Sequence, residues 1–466
     1  MTDVATSNPI DLSETIVAQA TAPGRGALSI VRVSGPDAHA IARRAVDRWP
    51  AEARVATLTN VRDAAAVTID QSVLVRYDAP ASFTGEDSVE LTTHGGLVVA
   101  TTVVAAFIAS GARLALPGEF TRRAVLNGKL DVLQAEAAGD LVNANSRAAQ
   151  GVALRQLDGG LSRRVLALRD ELIGLEALIA YDIDFPEEDD GPIAPARILA
   201  AADRIVVALE QLLATSRTGE LVREGALVVL AGPPNVGKSS LFNALVGEAR
   251  AIVTDIPGTT RDAIEAVIDT PTVPLRLVDT AGIRTALDPV ERLGVEMSES
   301  YVARAAVVIV CADSESSIDH IGHALRGRVL APIVVARTKS DIAPATPAQV
   351  AANSVTLGAA AALAVSAETG DGLGALLSVI AEIVSGSAGV QHVDAPLLTQ
   401  ERHRYAVTRA LEEARAFRDR WIGRDVPAPV AAVHLREAVS TLEDLIGAVD
   451  VEDVLDEVFR RFCVGK

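Results

Sequence analysis

The chain of 466 residues has little of several things that specialised proteins need. It has only two cysteines, Cys311 and Cys463, which argues against a disulfide framework and favours the cytoplasm. It has no apolar run long enough to span a bilayer and no signal-peptide pattern, so we expect a cytoplasmic protein with no membrane partner. Its formal net charge of −18 argues against a protein that coats nucleic acid through bulk positive charge, although a local basic face is compatible with it.

Lysine is also scarce. Of the 43 basic residues only four are lysine, namely Lys129, Lys238, Lys339 and Lys466. A chain that uses arginine almost everywhere keeps lysine where a compact ammonium on a thin stem is required. The lysines are therefore candidate functional positions, with chance placement as the alternative.

A phosphate-binding loop lies in residues 225–241, GALVVLAGPPNVGKSSL. The run ALVVL predicts a buried parallel strand, and shortly after it the eight residues from Gly232 to Ser239 match G-x-x-x-x-G-K-[ST]. The glycines let the backbone turn so that its N–H groups surround phosphates. In this motif Lys238 reaches the β- and γ-phosphates and Ser239 gives its hydroxyl to Mg²⁺.

Three further motifs follow in order and predict a guanine nucleotide. Residues 279–282, DTAG, come after the strand PLRLV, and Asp279 is placed to hold the Mg²⁺ shell. Residues 338–341, TKSD, follow APIVVAR, and their Asp can accept hydrogen bonds from guanine N1 and N2. Residues 366–368, SAE, follow LAV and would place a main-chain N–H behind the base. Thr338 replaces the usual Asn, and we expect the GTP preference to survive this change.

The residue that activates water for hydrolysis is not obvious. Many GTPases place Gln directly after DTAG, but this chain has Ile283 there. Five nearby residues are alternatives, or form the solvated face of a helix: Arg284, Asp288, Glu291, Glu296 and Glu299. Asn235 and carbonyls of residues 254–262 could also hold a monovalent cation that neutralises charge in the transition state.

Motifs outside the nucleotide site carry a wider resemblance. Residues 15–35 (TIVAQATAPGRGALSIVRVSG), 82–96 (SFTGEDSVELTTHGG) and 117–137 (PGEFTRRAVLNGKLDVLQAEA) resemble signatures of the MnmE (TrmE) family of tRNA-modification GTPases. The ending FCVGK resembles the Phe-Cys-Ile-Gly-Lys terminus of that family. The resemblance thus extends from residue 15 to residue 466.

The resemblance implies site residues that spacing alone does not. It implies K⁺ coordination by Asn235, Thr254, Ile256 and Thr259. It implies Mg²⁺ coordination by Ser239 and Thr260, and catalysis by Glu291 acting through water on the γ-phosphate. It implies that a tetrahydrofolate derivative, in the 5,10-methylene or 5-formyl form, is bound by Arg32, Glu90, Lys129 and Lys466; from the residues alone, Arg32 and Glu90 are only a strand-borne charge pair. The expected GTP-binding set is Asn235, Val236, Gly237, Lys238, Ser239, Ser240, Thr254, Asp255, Ile256, Pro257, Gly258, Thr259, Thr260, Asp279, Thr280, Ala281, Gly282, Thr338, Lys339, Ser340, Asp341, Ser366, Ala367 and Glu368.

The patterning predicts a multidomain α/β and α protein. We expect an N-terminal α+β domain over 1–128, which the resemblance makes a folate-binding and dimerisation domain, and helical segments over 129–219 and 387–466. Between them, 220–386 predicts a P-loop GTPase domain with a doubly wound, mostly parallel sheet. The acidic residues Asp184, Glu187, Glu188, Asp189 and Asp190 are a solvated loop or, less favoured, a metal site. Cys311 lies in an apolar strand and is expected in the core.

The resemblance implies a homodimeric GTPase that acts with a flavin- and NADH-using partner, MnmG, in a heterotetramer. Together they would add a carboxymethylaminomethyl group to C5 of wobble uridine U34 in certain tRNAs, using a folate one-carbon unit. The chain has no G-x-G-x-x-G fingerprint, so the redox cofactor must come from elsewhere. The alternatives are a regulatory or ribosome-assembly GTPase and, from Cys463 alone, a lipid-anchored GTPase, which the residues after Cys463 disfavour. Cys463 is either a nucleophile near the one-carbon donor or a thiol without function.

Overall fold

The structure is a computed structural model that describes residues 11–184, 194–248, 264–279, 301–318, 321, 329–388, 395–423, 427–447 and 465. The chain divides into two compact units. One unit comprises residues 1–139 and 439–466, and the other comprises residues 140–438.

The first unit contains a six-stranded sheet in the order β3-β4-β5-β2-β1-β6. Neighbouring strands are antiparallel except β1 and β6, which run parallel. The strands are β1 (Ile16–Gln19), β2 (Leu28–Ser34), β3 (Thr57–Arg62), β4 (Thr68–Tyr77), β5 (Ser88–His94) and β6 (Arg113–Leu114). The helices are α1 (Ala38–Ala45), α2 (Val99–Ala109), α3 (Glu119–Leu126) and α4 (Val132–Asn143), of which the last runs past the end of this unit.

Helices α1 and α2 cover one face of this sheet. Val31 and Val33 of β2 and Leu91 of β5 pack against them in one apolar core. Because successive side chains of a strand point to opposite faces, Arg32 and Glu90 lie on the other face. The two residues are direct neighbours across β2 and β5. The α+β arrangement expected for the N-terminal part of the chain is therefore present.

The second unit combines helices with a second sheet. The helices before the sheet are α5 (Arg147–Leu157), α6 (Gly160–Asp184), α7 (Pro195–Ala214) and α8 (Ser216–Glu224). After it come α12 (Glu401–Gly423) and α13 (Ala428–Ile446), the latter running on into the first unit. The apolar stripe of α7 packs along α12, and Gln156 of α5 donates to the Leu397 carbonyl oxygen at 2.8 Å. Helical segments from both sides of the nucleotide motifs thus pack together.

The second sheet also has six strands, in the order β12-β11-β10-β7-β9-β8. Its strands and helices are β7 (Ala226–Ala231), α9 (Lys238–Glu248), β8 (Ile264–Ile268), β9 (Leu275–Asp279), β10 (Val307–Ala312), β11 (Ile333–Arg337), α10 (Pro347–Leu357), β12 (Ala361–Ala364) and α11 (Leu373–Ala388). Only the β8–β9 pair is antiparallel. The predicted doubly wound, mostly parallel sheet is confirmed, and β7, which carries the P-loop, lies inside it.

The position expected for Cys311 is confirmed. Cys311 of β10 is fully buried in the core of this sheet, where burial raises the pKa of its thiol to about 12. Within the part of the chain that the structure describes, no helix combines the length and the apolar character needed to cross a bilayer. The acidic residues Glu187, Glu188, Asp189 and Asp190 lie outside the described residues.

Candidate functional site

The P-loop is held tightly between β7 and α9. A Cβ added at Gly232, whose φ is +159°, would lie 2.5 Å from the main-chain oxygen of Cys311, so the loop passes too close to β10 for a side chain. Gly237 has a φ of +96° and Asn235 a φ of +64°. The Nζ of Lys238 donates to the carbonyl oxygens of Gly232 and Pro233 at 2.9 and 2.7 Å. The lysine therefore already spans the loop that would receive phosphates.

The proposed magnesium ligand is oriented by a carboxylate. Ser239, the second residue of α9, donates its hydroxyl to Oδ2 of Asp279 at 2.6 Å. Asp279 ends β9 and is 1% exposed. Parallel strands β7 and β9 are neighbours, so the two motifs meet at one edge of the sheet. A hydroxyl backed by a carboxylate at this edge is a suitable place for a hard cation.

Thr338 and Lys339 connect the base-recognition motif to the P-loop. The hydroxyl of Thr338 donates to the Val236 carbonyl oxygen at 2.5 Å. The Nζ of Lys339 donates to the Asn235 carbonyl oxygen at 2.8 Å and to Oδ2 of Asp313 at 2.9 Å. The hydrogen bond from Lys339 is the main reason why the pKa of Asp313 is held below its ordinary value. Each of the two residues therefore makes one main-chain contact with the P-loop.

Asp341, the proposed guanine reader, is oriented by the next motif along the sheet. The buried hydroxyl of Ser366 donates to Oδ1 of Asp341 at 2.7 Å. The same Ser366 oxygen accepts from the main-chain N–H groups of Glu368 and Thr369. The Asp341 carboxylate itself is exposed, so its second oxygen is available to a ligand.

A second constellation lies on the face of the N-terminal sheet opposite α1 and α2. Arg32 donates through Nε and Nη2 to Oε1 of Glu90, at 2.9 and 2.7 Å, and the Tyr77 hydroxyl lies 3.4 Å from Oε2. The guanidinium carbon of Arg32 is 5.1 Å from the ring centre of Phe83 and 5.6 Å from that of Phe120. Burial, followed by the Glu90 charge, raises the pKa of Tyr77. A cation held by one carboxylate and two aromatic faces is a rigid recognition element.

The segment between β4 and β5 brings Lys129 towards this constellation. Its Pro80 carbonyl oxygen accepts from the Nζ of Lys129 at 3.1 Å, while its Phe83 lies beneath Arg32. A Cβ added at Gly85 would lie 3.2 Å from the stem of Lys129, so the segment and the lysine are closely packed. Near the C-terminus, Gly465 is buried against the main-chain oxygen of Gln19, at the end of β1.

A buried ion cluster supports the same segment. The Arg123 side chain is 0% exposed and contacts Oε1 of both Glu86 and Glu119 at 3.0 Å. Burial alone would raise the pKa of Glu119, but hydrogen bonds from Arg113, the Leu116 N–H and Arg123 outweigh it and hold that pKa below its ordinary value. Glu86 also accepts from the hydroxyl of Ser34 at 2.8 Å. The cluster thus fixes Glu86, and with it one end of the segment, against α3.

Two family models match this chain. A family model described as the MnmE helical domain matches residues 132–463, and one described as the N-terminus of GTP-binding protein TrmE matches residues 15–129. The chain belongs to the MnmE family of tRNA modification GTPases. As a member of this family it is a GTP-hydrolysing enzyme.

Full-length relatives support the same assignment. The tRNA modification GTPase MnmE of Azoarcus sp. is 44% identical over 97% of this chain and 98% of its own. Those of Heliobacterium modesticaldum and Aquifex aeolicus are 41% and 38% identical over 98% of this chain and 100% of their own. Among solved structures, the G domain of the T. maritima FeoB iron transporter covers 34% of this chain and 98% of its own length at 28% identity, with a TM-score of 0.27, too low to bear on function.

The structure thus brings together the predicted residues of the P-loop, Asp279, the TKSD motif and the SAE motif, and separately Arg32 and Glu90. Lys129 contacts the segment that also carries Phe83. Several other predicted residues lie outside the described residues, and their placement stays a prediction. They are Thr254, Asp255, Ile256, Pro257, Gly258, Thr259, Thr260, Thr280, Ala281, Gly282, Glu291 and Lys466, together with Cys463.

Sequence reasoning missed several residues that complete these sites. Asp313, which pairs with Lys339, follows directly after strand β10, and a carboxylate at the end of a parallel strand was a usable signal. Tyr77, Phe83 and Phe120 surround the Arg32–Glu90 pair. The chain has only two Trp, four Tyr and eight Phe. Aromatic residues within the family motifs were therefore candidate functional positions, as the rare lysines were.

Proposed function

We propose that this GTPase acts on tRNA, and that GTP hydrolysis is coupled to addition of a carboxymethylaminomethyl group at C5 of wobble uridine. The relatives carry the name tRNA modification GTPase over nearly the whole of both chains, and this observation supports the proposal most directly. Contacts between P-loop, base-recognition motif and SAE motif support guanine-nucleotide binding by the residues named above.

We propose that Mg²⁺ and K⁺ assist the hydrolysis. Ser239, which is hydrogen-bonded to Asp279, would hold Mg²⁺ together with Thr260. Asn235 has a left-handed conformation and is exposed on the P-loop. It would hold K⁺ together with Thr254, Ile256 and Thr259. Bound cations at these places would neutralise the negative charge that grows on the phosphates. Lys238 exchanges its two carbonyl contacts for phosphate oxygens when the nucleotide enters. Glu291 orients the attacking water, since Ile283 cannot.

We propose that the N-terminal constellation binds a tetrahydrofolate derivative that supplies the one-carbon unit. Arg32 and Lys129 would donate to the ligand and Glu90 would accept from it, at the pterin and its acidic tail. Phe83, which is 43% exposed, would contribute apolar contact area. The buried position of Gly465 supports a C-terminus that reaches towards this unit, which would bring Lys466 to the ligand.

We further propose a homodimer through exposed residues on the face of the N-terminal sheet opposite α1 and α2, and a complex with the flavoprotein MnmG. By strand alternation, Leu28 and Leu58 lie on the face that α1 and α2 leave uncovered, and they are 62% and 51% exposed. Exposed apolar side chains on one sheet face favour a protein partner. Redox chemistry would come from MnmG, because the chain itself has no dinucleotide fingerprint.

The deciding experiment is mass spectrometry of tRNA nucleosides from cells that lack this protein. We expect the carboxymethylaminomethyl group at wobble uridine to disappear, to return with the wild-type gene, and not to return with Lys238→Ala. A matched variant, His94→Gln, changes an exposed side chain of the N-terminal unit outside both constellations and should restore the modification. An unchanged nucleoside profile in the deletion, together with a ribosome-assembly defect, would overturn the proposal in favour of a ribosome-assembly GTPase.

A further inference from the structure

Three metal-ligating side chains meet on the helix side of the N-terminal unit. His39 comes from α1, Asp78 from the residue after β4, and Asp87 from the residue before β5. One ligand atom from each lies within 4.8 Å of the others. An ion centred among atoms at that spacing is about 2.8 Å from each, and zinc bonds are about 2.0–2.2 Å long. Small side-chain rotations would therefore close the shell.

The neighbours of His39 determine which of its ring nitrogens donates a hydrogen bond. The Nε2 of His39 lies 3.1 Å from the Tyr77 carbonyl oxygen, which can only accept, so Nε2 carries the proton of that hydrogen bond. In the neutral ring, Nδ1 then directs its lone pair at Oδ2 of Asp87, 3.5 Å away. Two lone pairs at this distance repel unless a positive charge lies between them. A histidine that donates one ring N–H to a main-chain carbonyl and offers the other nitrogen is the usual form of a metal-binding histidine.

Each of the three side chains is also oriented by a second contact. The ring of His39 packs edge-on against Trp49, with centroids 5.5 Å apart. Asp87 accepts the Ala79 N–H at its other oxygen, Oδ1, at 2.8 Å. The Oδ2 of Asp78 lies 3.8 Å from Arg76, and its Oδ1 lies 3.9 Å from Nε2 of His39. Nδ1 of His39 and Oδ2 of Asp87 therefore already face each other, whereas Asp78 is the ligand that has to rotate to reach an ion bound at Nδ1.

We propose that His39, Asp78 and Asp87 form a divalent-metal site that clamps the segment between β4 and β5. One imidazole and two carboxylates carry two negative charges, and this donor set suits Zn²⁺ better than Mg²⁺, which avoids imidazole. Asp78 and Asp87 stand at the two ends of the segment whose Pro80 contacts Lys129 and whose Phe83 contacts Arg32. An ion that joins those ends would reduce the conformational freedom of the segment, and so hold the Pro80–Lys129 and Phe83–Arg32 contacts in place. The metal site itself does not depend on the proposed folate function.

The test is a Zn²⁺ titration of the chelator-treated full-length protein in excess Mg²⁺, followed by Co²⁺ substitution for its absorption spectrum. We expect one saturable equivalent per chain. His39→Ala should weaken it more than about 100-fold, because even outer partners of a ligand change affinity by about 10–100-fold. Asp78 is half exposed, so Asp78→Asn tests the site with little risk to folding, and should weaken binding at least about 10-fold.

The matched control is His94→Gln. His94 also faces an aspartate, with Nδ1 2.7 Å from Oδ1 of Asp70, but its side chain is 71% exposed and belongs to no three-ligand group among the described residues. This variant should bind Zn²⁺ as the wild type does. Absence of a saturable equivalent would overturn the proposal. Binding that survives both His39→Ala and Asp78→Asn would overturn it equally, because the ion would then lie elsewhere.

Discussion

The hydroxyl of Thr338 is expected to join the base-recognition motif to the P-loop, and Thr338→Val tests this with almost no change in side-chain volume. Thr338 is 4% exposed, and its Oγ1 donates to the Val236 carbonyl oxygen at 2.5 Å. The same oxygen lies 3.3 Å from the Ala312 carbonyl, but one proton serves one acceptor at a time. The variant therefore loses one buried hydrogen bond.

The loss should cost about 1–2 kcal/mol, the usual range for a buried hydrogen bond whose acceptor stays in place. If the bond holds the P-loop in its nucleotide-binding form, GTP and GDP affinity should both fall by a factor of about 5–30. The measurement is a fluorescence titration with a labelled guanine nucleotide. Thr338→Ser keeps the hydroxyl and should bind as the wild type does.

A second control distinguishes the loss of the Thr338–Val236 hydrogen bond from the loss of any threonine hydroxyl. Thr356→Val removes an exposed hydroxyl that donates to the Ala352 carbonyl within α10, and should leave affinity unchanged. Wild-type affinity in Thr338→Val would show that the Thr338–Val236 bond does not shape the nucleotide site, and the reasoning would then be wrong.

Three other predictions follow from the same structure. Arg123→Met leaves Glu86 and the buried Glu119 without their common cation. In a denaturant titration it should lower the free energy of unfolding of the N-terminal unit by about 3–5 kcal/mol. The control, Arg404→Met, removes an exposed ion pair and should change the stability of its own helical region by about 0–1 kcal/mol, and equal effects of the two variants would contradict this account. GTP hydrolysis should be faster in K⁺ than in Na⁺, and Glu291→Ala should slow turnover while GTP still binds; equal rates in the two salts would remove the cation proposal. Deletion of Lys466 should weaken binding of 5-formyltetrahydrofolate in a calorimetric titration and spare GTP hydrolysis, and unchanged folate affinity would show that the C-terminus does not reach the ligand.

Sequence patterns predicted much of the nucleotide site because the residues that form a P-loop are close together in the sequence. A P-loop needs glycines at fixed spacing between a strand and a helix, and Gly232 and Gly237 meet that need whatever else the chain does. The order of strand, loop and helix also predicted the mostly parallel sheet, since parallel strands require crossover connections. Arg32 and Glu90 could be recognised as a strand-borne pair, but their ligand could only be inferred from the family resemblance.

Tertiary structure decided which distant residues meet. Asp313 reaches Lys339, and Thr338 reaches Val236, because β7, β10 and β11 are neighbours in the sheet, and no local pattern encodes that strand order. The same holds for His39, Asp78 and Asp87, which come from a helix and two strand ends and share no spacing in the sequence. Motif spacing identifies a site whose residues lie close together in the sequence. A site whose residues come from different strands depends on long-range strand pairing, which only the folded structure shows.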